Sequence, residues 1–403
     1  MAAQPFQLLQ ISDVLDLEFA TALAESVPVI AWEPMRSFTP FRTPPGLEAE
    51  RTHPGSSLRI RKMPFLRGFA RPPLSWISQT GSSLSRRLKL QVEDPETAPL
   101  ICTTPFMAPV AERWPGPVIY WLTDLISEYS SANRKQVMAL DVRMCRAATL
   151  VCPNSRRIRA YLIERAGCDP GKIEIIPNAT RAANLLPQAP LSCESAYESR
   201  PAALKAIPAL RDRPIAGVIG NLAGNMDWLM LKEVVTRTPW LSWVFVGPTT
   251  MQIVDLQQRE ARAQLLSRVH VHFIGKRPYG ELAQYARSFD VAILLYRRCE
   301  PTYSGSSTRF YEHLAACRPM IATDGLEELT HKSDFLQMVR HPQEAVACLE
   351  QLQAMQFNDG GNERRWRESL HSTWQARAQA VLVALASRTA SQQQRVRLAE
   401  ATI

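Results

Sequence analysis

The run Ser306-Ser307-Thr308-Arg309-Phe310-Tyr311-Glu312 brings together residue types whose spacing suits an anionic ligand. A serine at the head of a helix can accept a bond from a first-turn N–H, and the remaining first-turn N–H groups make an anion site. Ser306 and Ser307 both stand where such a cap is needed. Arg309 lies one turn further in, and its planar fork matches a pair of pyrophosphate oxygens. Glu312 follows at i+3 on the same face, with two oxygens that can accept from a ribose diol. The same spacing also suits an ordinary Arg309–Glu312 pair on a helix surface. Upstream, Gly220-Asn221-Leu222-Ala223-Gly224-Asn225 forms a flexible turn between an apolar run and a helical stretch. Backbone can approach phosphate there, although the full G-x-G-x-x-G pattern is missing.

Such groups need strands and helices to hold them, and the chain alternates short apolar runs with helical stretches almost throughout. That alternation is the mark of βαβ units and a parallel sheet. In the first half strands are predicted at Leu8–Ile11, Val27–Trp32, Leu100–Thr103, Val118–Leu122, Thr149–Cys152 and Ile173–Ile176. Helices are predicted at Ala132–Ala147 and Ser155–Ala166, the second opening on a capping serine. Residues 36–95, rich in Pro, Arg and Ser, read as a long irregular insertion. Residues 185–213 turn to Pro, Ala, Ser and Gln, a linker composition. Strands resume at Ile215–Ile219, Trp243–Val246, Val269–Phe273, Val291–Leu295 and Met320–Thr323. Helices lie between them from Asp227, at Gln252–Leu266, Tyr279–Ser288 and Thr308–Ala316, with a helical tail of Gln343–Gln353 and Gly361–Arg397.

The expectation is an α/β chain of two tandem Rossmann-like, doubly wound parallel-sheet domains facing across a cleft. The first is 1–184, the linker 185–213, the second 214–360, and a C-terminal helix in 361–403 returns toward the first. A length of 403 residues fits two cores better than one.

Bulk properties narrow the function. Apolar residues make up 46% and charged residues 21%, ordinary for a globular protein. No run approaches the roughly 18 apolar residues of a membrane span, and Asp13 and Asp16 close the short N-terminal apolar run, unlike a signal peptide. The eight cysteines are scattered without a CxxC pair, which argues for reduced thiols in a cytoplasmic protein. The seven histidines include one HxH pair, His270 and His272, inside a predicted strand, but no HExxH, and no DxD stands in a suitable loop, so no metal site is predicted. The net charge of +9 is concentrated between Arg36 and Lys89, where eleven cations face only Glu48 and Glu50. This field is either a solvated basic face or an attractor of anions. Phe65, Leu66, Phe69, Leu74 and Trp76 among the arginines favour an anionic membrane surface. Recognition patterns for nucleic acid are missing.

Residues 269–325, VHVHFIGKRPYGELAQYARSFDVAILLYRRCEPTYSGSSTRFYEHLAACRPMIATDG, resemble the nucleotide-sugar-binding half of bacterial GT-B glycosyltransferases (group 1-like). The likeness lies in the glycine loop, the "FDVAILLY" strand, the serine-headed helix with Arg309 then Glu312, and the turn at Ala315–Pro319. It implies transfer of a sugar from a nucleotide-diphosphate donor, with no further cofactor, to a lipid-linked or polysaccharide acceptor bound by the first domain. By the same resemblance Gly275, Lys276 and Arg277 hold the nucleobase, Tyr296 lines its pocket, and Gly220 and Asn221 approach phosphate. Lys276 and Arg277 also fit an exposed loop pair.

The family's retaining members carry two glutamates eight positions apart, yet eight before Glu312 stands Ser304; the nearest carboxylate is Glu300. In PGPVIYWLTDLISEY, Asp124 stands just past a strand and resembles the general base of the xanthan-type glucuronosyltransferases, which invert the anomeric centre. It also fits a plain helix cap. Glu128 and His53 are lesser base candidates, Ala179 replaces the glycine of a "PNG"-type turn, and Trp374 with Arg377 suits helix packing. Two other classes share the architecture: a nucleotide-sugar 2-epimerase, and a non-catalytic nucleotide- or sugar-binding partner protein.

Overall fold

A computed structural model describes residues 4–9, 14–37, 50–66, 79–129, 133–180, 200–250 and 253–400. Its contacts divide the chain into two units, Met1–Pro177 with Trp374–Ile403, and Asn178–Thr373.

The first unit is built on seven strands: β1 (Phe6–Leu9), β2 (Val29–Ser37), β3 (Arg51–Thr52), β4 (Arg59–Leu66), β5 (Leu100–Cys102), β6 (Val118–Leu122) and β7 (Leu150–Pro153). Their order is β3-β4-β2-β1-β5-β6-β7, and every pairing is parallel except β3 with β4. Helices α1 (Val14–Ala24), α2 (Gln79–Lys89), α3 (Ala108–Ala111), α4 (Arg134–Ala147) and α5 (Arg156–Glu164) connect them. Strand β6, VIYWL, lies between β5 and β7 and is buried at every position, as a strand covered on both faces must be. Ser155 caps α5 by accepting from Ile158 N at 3.1 Å, and Phe19 of α1 stacks on Trp121 with centroids 4.0 Å apart.

Two expectations fail here. Residues 51–66, assigned above to an irregular insertion, supply β3 and β4, and β4 runs beside β2 from Arg59 opposite Ile30 to Leu66 opposite Ser37. The basic–apolar alternation and Pro64 hid it. Because β3 pairs only with Arg59 and Ile60, Pro64 lies on an edge among the described residues, where a missing N–H is tolerated. Arg42, Phe69, Leu74 and Trp76 of the basic stretch lie outside the described residues. Ile173–Ile176, expected as a strand, makes a single bridge from Ile173 to Val151, with Ile176 N bonded to Pro153 O at 2.9 Å. It trails along β7 without forming a ladder.

The second unit holds β8 (Ile215–Ile219), β9 (Ser242–Val246), β10 (Val271–Gly275), β11 (Val291–Leu294), β12 (Met320–Ala322) and β13 (Gln337–Met338). The order is β10-β9-β8-β11-β12-β13, all parallel. Its helices are α6 (Ala202–Lys205), α7 (Trp228–Arg237), α8 (Leu256–Leu266), α9 (Leu282–Arg287), α10 (Thr308–Ala315), α11 (Pro342–Ala354) and α12 (Asn362–His371). Part of the predicted linker is packed structure, since Leu204 and Leu210 are buried against Ile215 and Val244; residues 181–199 lie outside the described residues. The helical tail breaks at Ser372–Thr373, and α13 (Trp374–Glu400) joins the first unit, packing on α1. Trp374 is buried at its start.

Candidate functional site

In the second unit β8 and β11 are neighbours whose onward connections run to opposite edges of the sheet. At such a switch point the carboxyl ends leave a crevice where doubly wound sheets take their ligands. Residues far apart in the chain meet there. The turn after β8 is laced to the end of β11: Asp227 N donates to Leu295 O at 3.0 Å, Arg297 N to Asn225 O at 2.8 Å, and Met226 bridges Tyr296. Gly220 adopts φ +104°, and a Cβ on it would lie 2.6 Å from Arg309 Nε. Gly247, at φ +154°, presses so close that its own Cβ would fall 1.8 Å from Gly220 O. Only glycines allow β8, β9 and the arginine to crowd into this space.

Arg309 fills that space from α10. It is 8% exposed, donates to Asn221 O and to Met226 Sδ, and sets its guanidinium 5.1 Å from the Tyr296 ring centroid. Glu312, 4% exposed, accepts from Tyr279 Oη at 3.1 Å. The two are buried groups with separate partners, so the surface-pair reading of Arg309 and Glu312 fails. Their arrangement can bind an anion through Arg309 and a diol through Glu312, with burial strengthening both.

The serines divide their work. Ser307 is the cap, accepting from Phe310 N at 3.2 Å, and its hydroxyl lies 3.2 Å from Tyr296 Oη. Ser306 is bound elsewhere: its Oγ accepts from Asn178 N at 3.0 Å, and Asn178 Nδ2 donates to Ser306 O at 2.8 Å and to Thr308 Oγ1 at 3.2 Å. Of the glycine loop, Gly275 (φ +76°) accepts from Gly247 N at 3.0 Å, Lys276 is exposed, and Arg277 engages the buried Tyr285 hydroxyl. Glu300 reaches Ser304, the serine eight before Glu312, whose Oγ donates to Glu300 Oε2 at 2.7 Å. Sequence reasoning missed Gly247, Asn178, Met226 and Tyr279. Only for Asn178 was there a signal, the Pro177-Asn178 turn.

One turn beyond Arg309, His313 is fully buried, and both its ring nitrogens are without hydrogen-bond partners. Burial, aided by the Arg309 charge, pushes its pKa down to about 3. In the first unit Asp141 accepts from Tyr120 Oη at 2.6 Å and Tyr161 Oη at 2.7 Å, and burial pushes its pKa up to about 6.

Asp124 lies past the end of β6 in the first unit, half-buried, accepting from Tyr129 Oη at 3.0 Å. Leu125 holds the N-cap position of the short helical turn after it without a side-chain capping bond, and Asn133 caps α4, its Oδ1 accepting from Gln136 N at 3.2 Å. Beside it Asn154 Nδ2 donates to Thr123 O at 2.6 Å. Glu128 is paired with Arg134 at 2.6 Å, and His53 closes the β3–β4 turn through its N–H to Leu58 O. Among the described residues no cluster of His, Cys, Asp or Glu has the makings of a metal site, and no helix is long and apolar enough to cross a membrane. In the basic stretch, Arg51 pairs with Glu33, and Arg59 and Arg61 both pair with Glu50.

Two Rossmann-like units with parallel sheets, the second carrying this constellation at its switch point, have the GT-B glycosyltransferase fold. No family model matches the chain. It is similar to the putative teichuronic acid biosynthesis glycosyltransferase TuaH of Bacillus subtilis, 21% identical over 215 residues. That match takes in 53% of this chain and 49% of TuaH, so it spans about half the length of the curated relative. Among solved structures it is similar to α,α-trehalose 6-phosphate synthase from Burkholderia multivorans (TM-score 0.66, 13% identity, 97% of this chain and 100% of that one). It is equally similar to Anabaena Alr3699/HepE in complex with UDP-glucose (TM-score 0.66, 13% identity, 95% of this chain and 100% of that one).

Proposed function

We propose that the protein is a glycosyltransferase that moves a sugar from a nucleotide-diphosphate sugar to a lipid-linked or polysaccharide acceptor. The observation that carries this reading is the buried Arg309 and Glu312 at the β8/β11 switch point, with Gly220 and Gly247 letting the strand ends and Arg309 pack closely there. Arg309 and the first turn of α10 take the diphosphate, and Glu312 takes the ribose. Gly220 and Asn221 bring backbone to the phosphates, Gly275 and Lys276 border the nucleobase, and Tyr296 supports Arg309 from below. HepE, of the same fold, was solved with UDP-glucose, and TuaH bears a glycosyltransferase name.

The leaving diphosphate is stabilised without a metal, by Arg309 and helix N–H groups placed where negative charge develops. Asp124 accepts the acceptor's hydroxyl proton as the anomeric carbon is attacked, which inverts that centre. With this chemistry the protein works in the cytoplasm at the inner face of the plasma membrane, where its basic residues meet anionic lipid.

The test is incubation of the purified protein with a panel of nucleotide sugars and a membrane-lipid extract, products being read by mass spectrometry. Donor consumed only when the extract is present supports transfer. Donor altered without acceptor supports an epimerase, and no nucleoside-diphosphate binding at all supports a non-catalytic partner protein.

A further inference from the structure

The face of α10 opposite Arg309 and Glu312 is held by a carboxylate with no part in donor binding as proposed above. Ser307 and Tyr311, an i,i+4 pair, lie on that face. Glu328, in the helical turn Glu327–His331, engages both. Its Oε2 accepts from Ser307 N at 2.7 Å and its Oε1 from Tyr311 Oη at 2.6 Å. Ser307 is the cap whose hydroxyl meets Phe310 N and Tyr296 Oη. Lys332 sits over the Phe310 and Tyr311 rings, 5.5 and 5.8 Å from their centroids. One side chain thus fixes the helix's first turn from outside and sets a negative charge at its positive end.

That charge has two opposing effects. A carboxylate at a helix N-terminus is favourable for the helix itself. It also offsets part of the field that would attract a diphosphate to the same turn, and it repels the diphosphate directly. Resting on the donor reading, we propose that Glu328 is a positioning residue for the nucleoside diphosphate: it fixes the first turn of α10, and its charge loosens that turn's hold so that product leaves. A purely architectural carboxylate predicts the opposite sign when its charge is removed.

The experiment measures binding of UDP, GDP and ADP to wild type and to Glu328→Gln by calorimetry, using whichever nucleotide wild type binds tightest. The glutamine keeps both contacts, its amide oxygen accepting from Ser307 N–H and its NH₂ donating to Tyr311 Oη. The variant should bind roughly three- to tenfold tighter at low salt, with the gap closing as salt screens the charge. Tyr311→Phe removes one of the two bonds and keeps the charge, so its affinity should stay within about twofold of wild type. Equal or weaker binding by Glu328→Gln at low salt overturns the inference, as does a variant that melts far below wild type, which would make Glu328 architectural. If wild type binds no nucleoside diphosphate, the donor reading falls and this inference with it. A wild type that binds leaves the donor reading standing whatever the variant does.

Discussion

Replacing Gly220 with alanine presses a single methyl against Arg309, and its effects separate into a backbone part and a side-chain part. At φ +104° an alanine is strained in any surroundings, which costs about 1–3 kcal/mol of stability. The added Cβ would also stand 2.6 Å from Arg309 Nε, so the guanidinium must retreat by about 0.8 Å to reach ordinary contact. Being 8% exposed and bound to Asn221 O and Met226 Sδ, Arg309 cannot retreat without leaving its seat over Tyr296. If Arg309 grips the diphosphate, Gly220→Ala should weaken nucleoside-diphosphate binding by about 1.5–3 kcal/mol, the scale of charge-assisted bonds. Calorimetry on wild type, Gly220→Ala, Arg309→Ala and the double variant closes a cycle. The strain should destabilise the fold in both backgrounds, while the affinity loss should vanish once Arg309 is alanine. An equal affinity loss in both backgrounds would refute the coupling. A folded Gly220→Ala that binds as well as wild type would remove Arg309 from the ligand.

The two buried titrating groups should give opposite pH slopes. His313, held down to about 3 from 6.5, leaves the native unit short of a proton, so stability is whole above pH 6.5 and falls as pH drops toward 3. By pH 5 the loss is about 2 kcal/mol, and His313→Leu should abolish it, as read by amide exchange in the second unit. Asp141, raised from 3.8 to about 6, contributes stability that is whole below pH 3.8 and is lost as pH rises through 6. Asp141→Asn should therefore stabilise the first unit at neutral pH by about 3 kcal/mol and have little effect in acid. Asp124→Asn should leave donor affinity and melting temperature nearly unchanged while cutting turnover by roughly 10²–10⁴-fold; an α-linked product from an α-linked donor, seen in anomeric NMR couplings, would end the inverting mechanism. The protein should sediment with anionic vesicles and be released by salt, and joint neutralisation of Arg59, Arg61, Lys62 and Arg67 should stop this; equal binding to neutral vesicles would refute electrostatic docking.

Local features were legible in the sequence because consecutive residues encode them. The apolar runs gave β6 and β8 at their observed bounds, Val118–Leu122 and Ile215–Ile219. Ser307 was readable as a cap, and the i+3 spacing placed Arg309 and Glu312 on one face, because helical geometry alone fixes both. Where a local signal was faint, the element escaped: α1, VLDLEFATALA, is apolar almost all round and shows no clear stripe, and β4 mixes arginines with a proline. Partners were another matter. Strand order decides that the turn after β8 meets the end of β11 and that Gly247 backs onto Gly220, and only the fold brings Asn178, 128 residues earlier, to donate its N–H to Ser306 Oγ. The same holds for Tyr279 on Glu312 and Glu328 on Ser307. None of these pairs has a spacing that repeats or a residue type that demands the other. They exist because the parallel sheet and its crossovers bring distant strand ends to one edge, where burial favours polar groups that find partners.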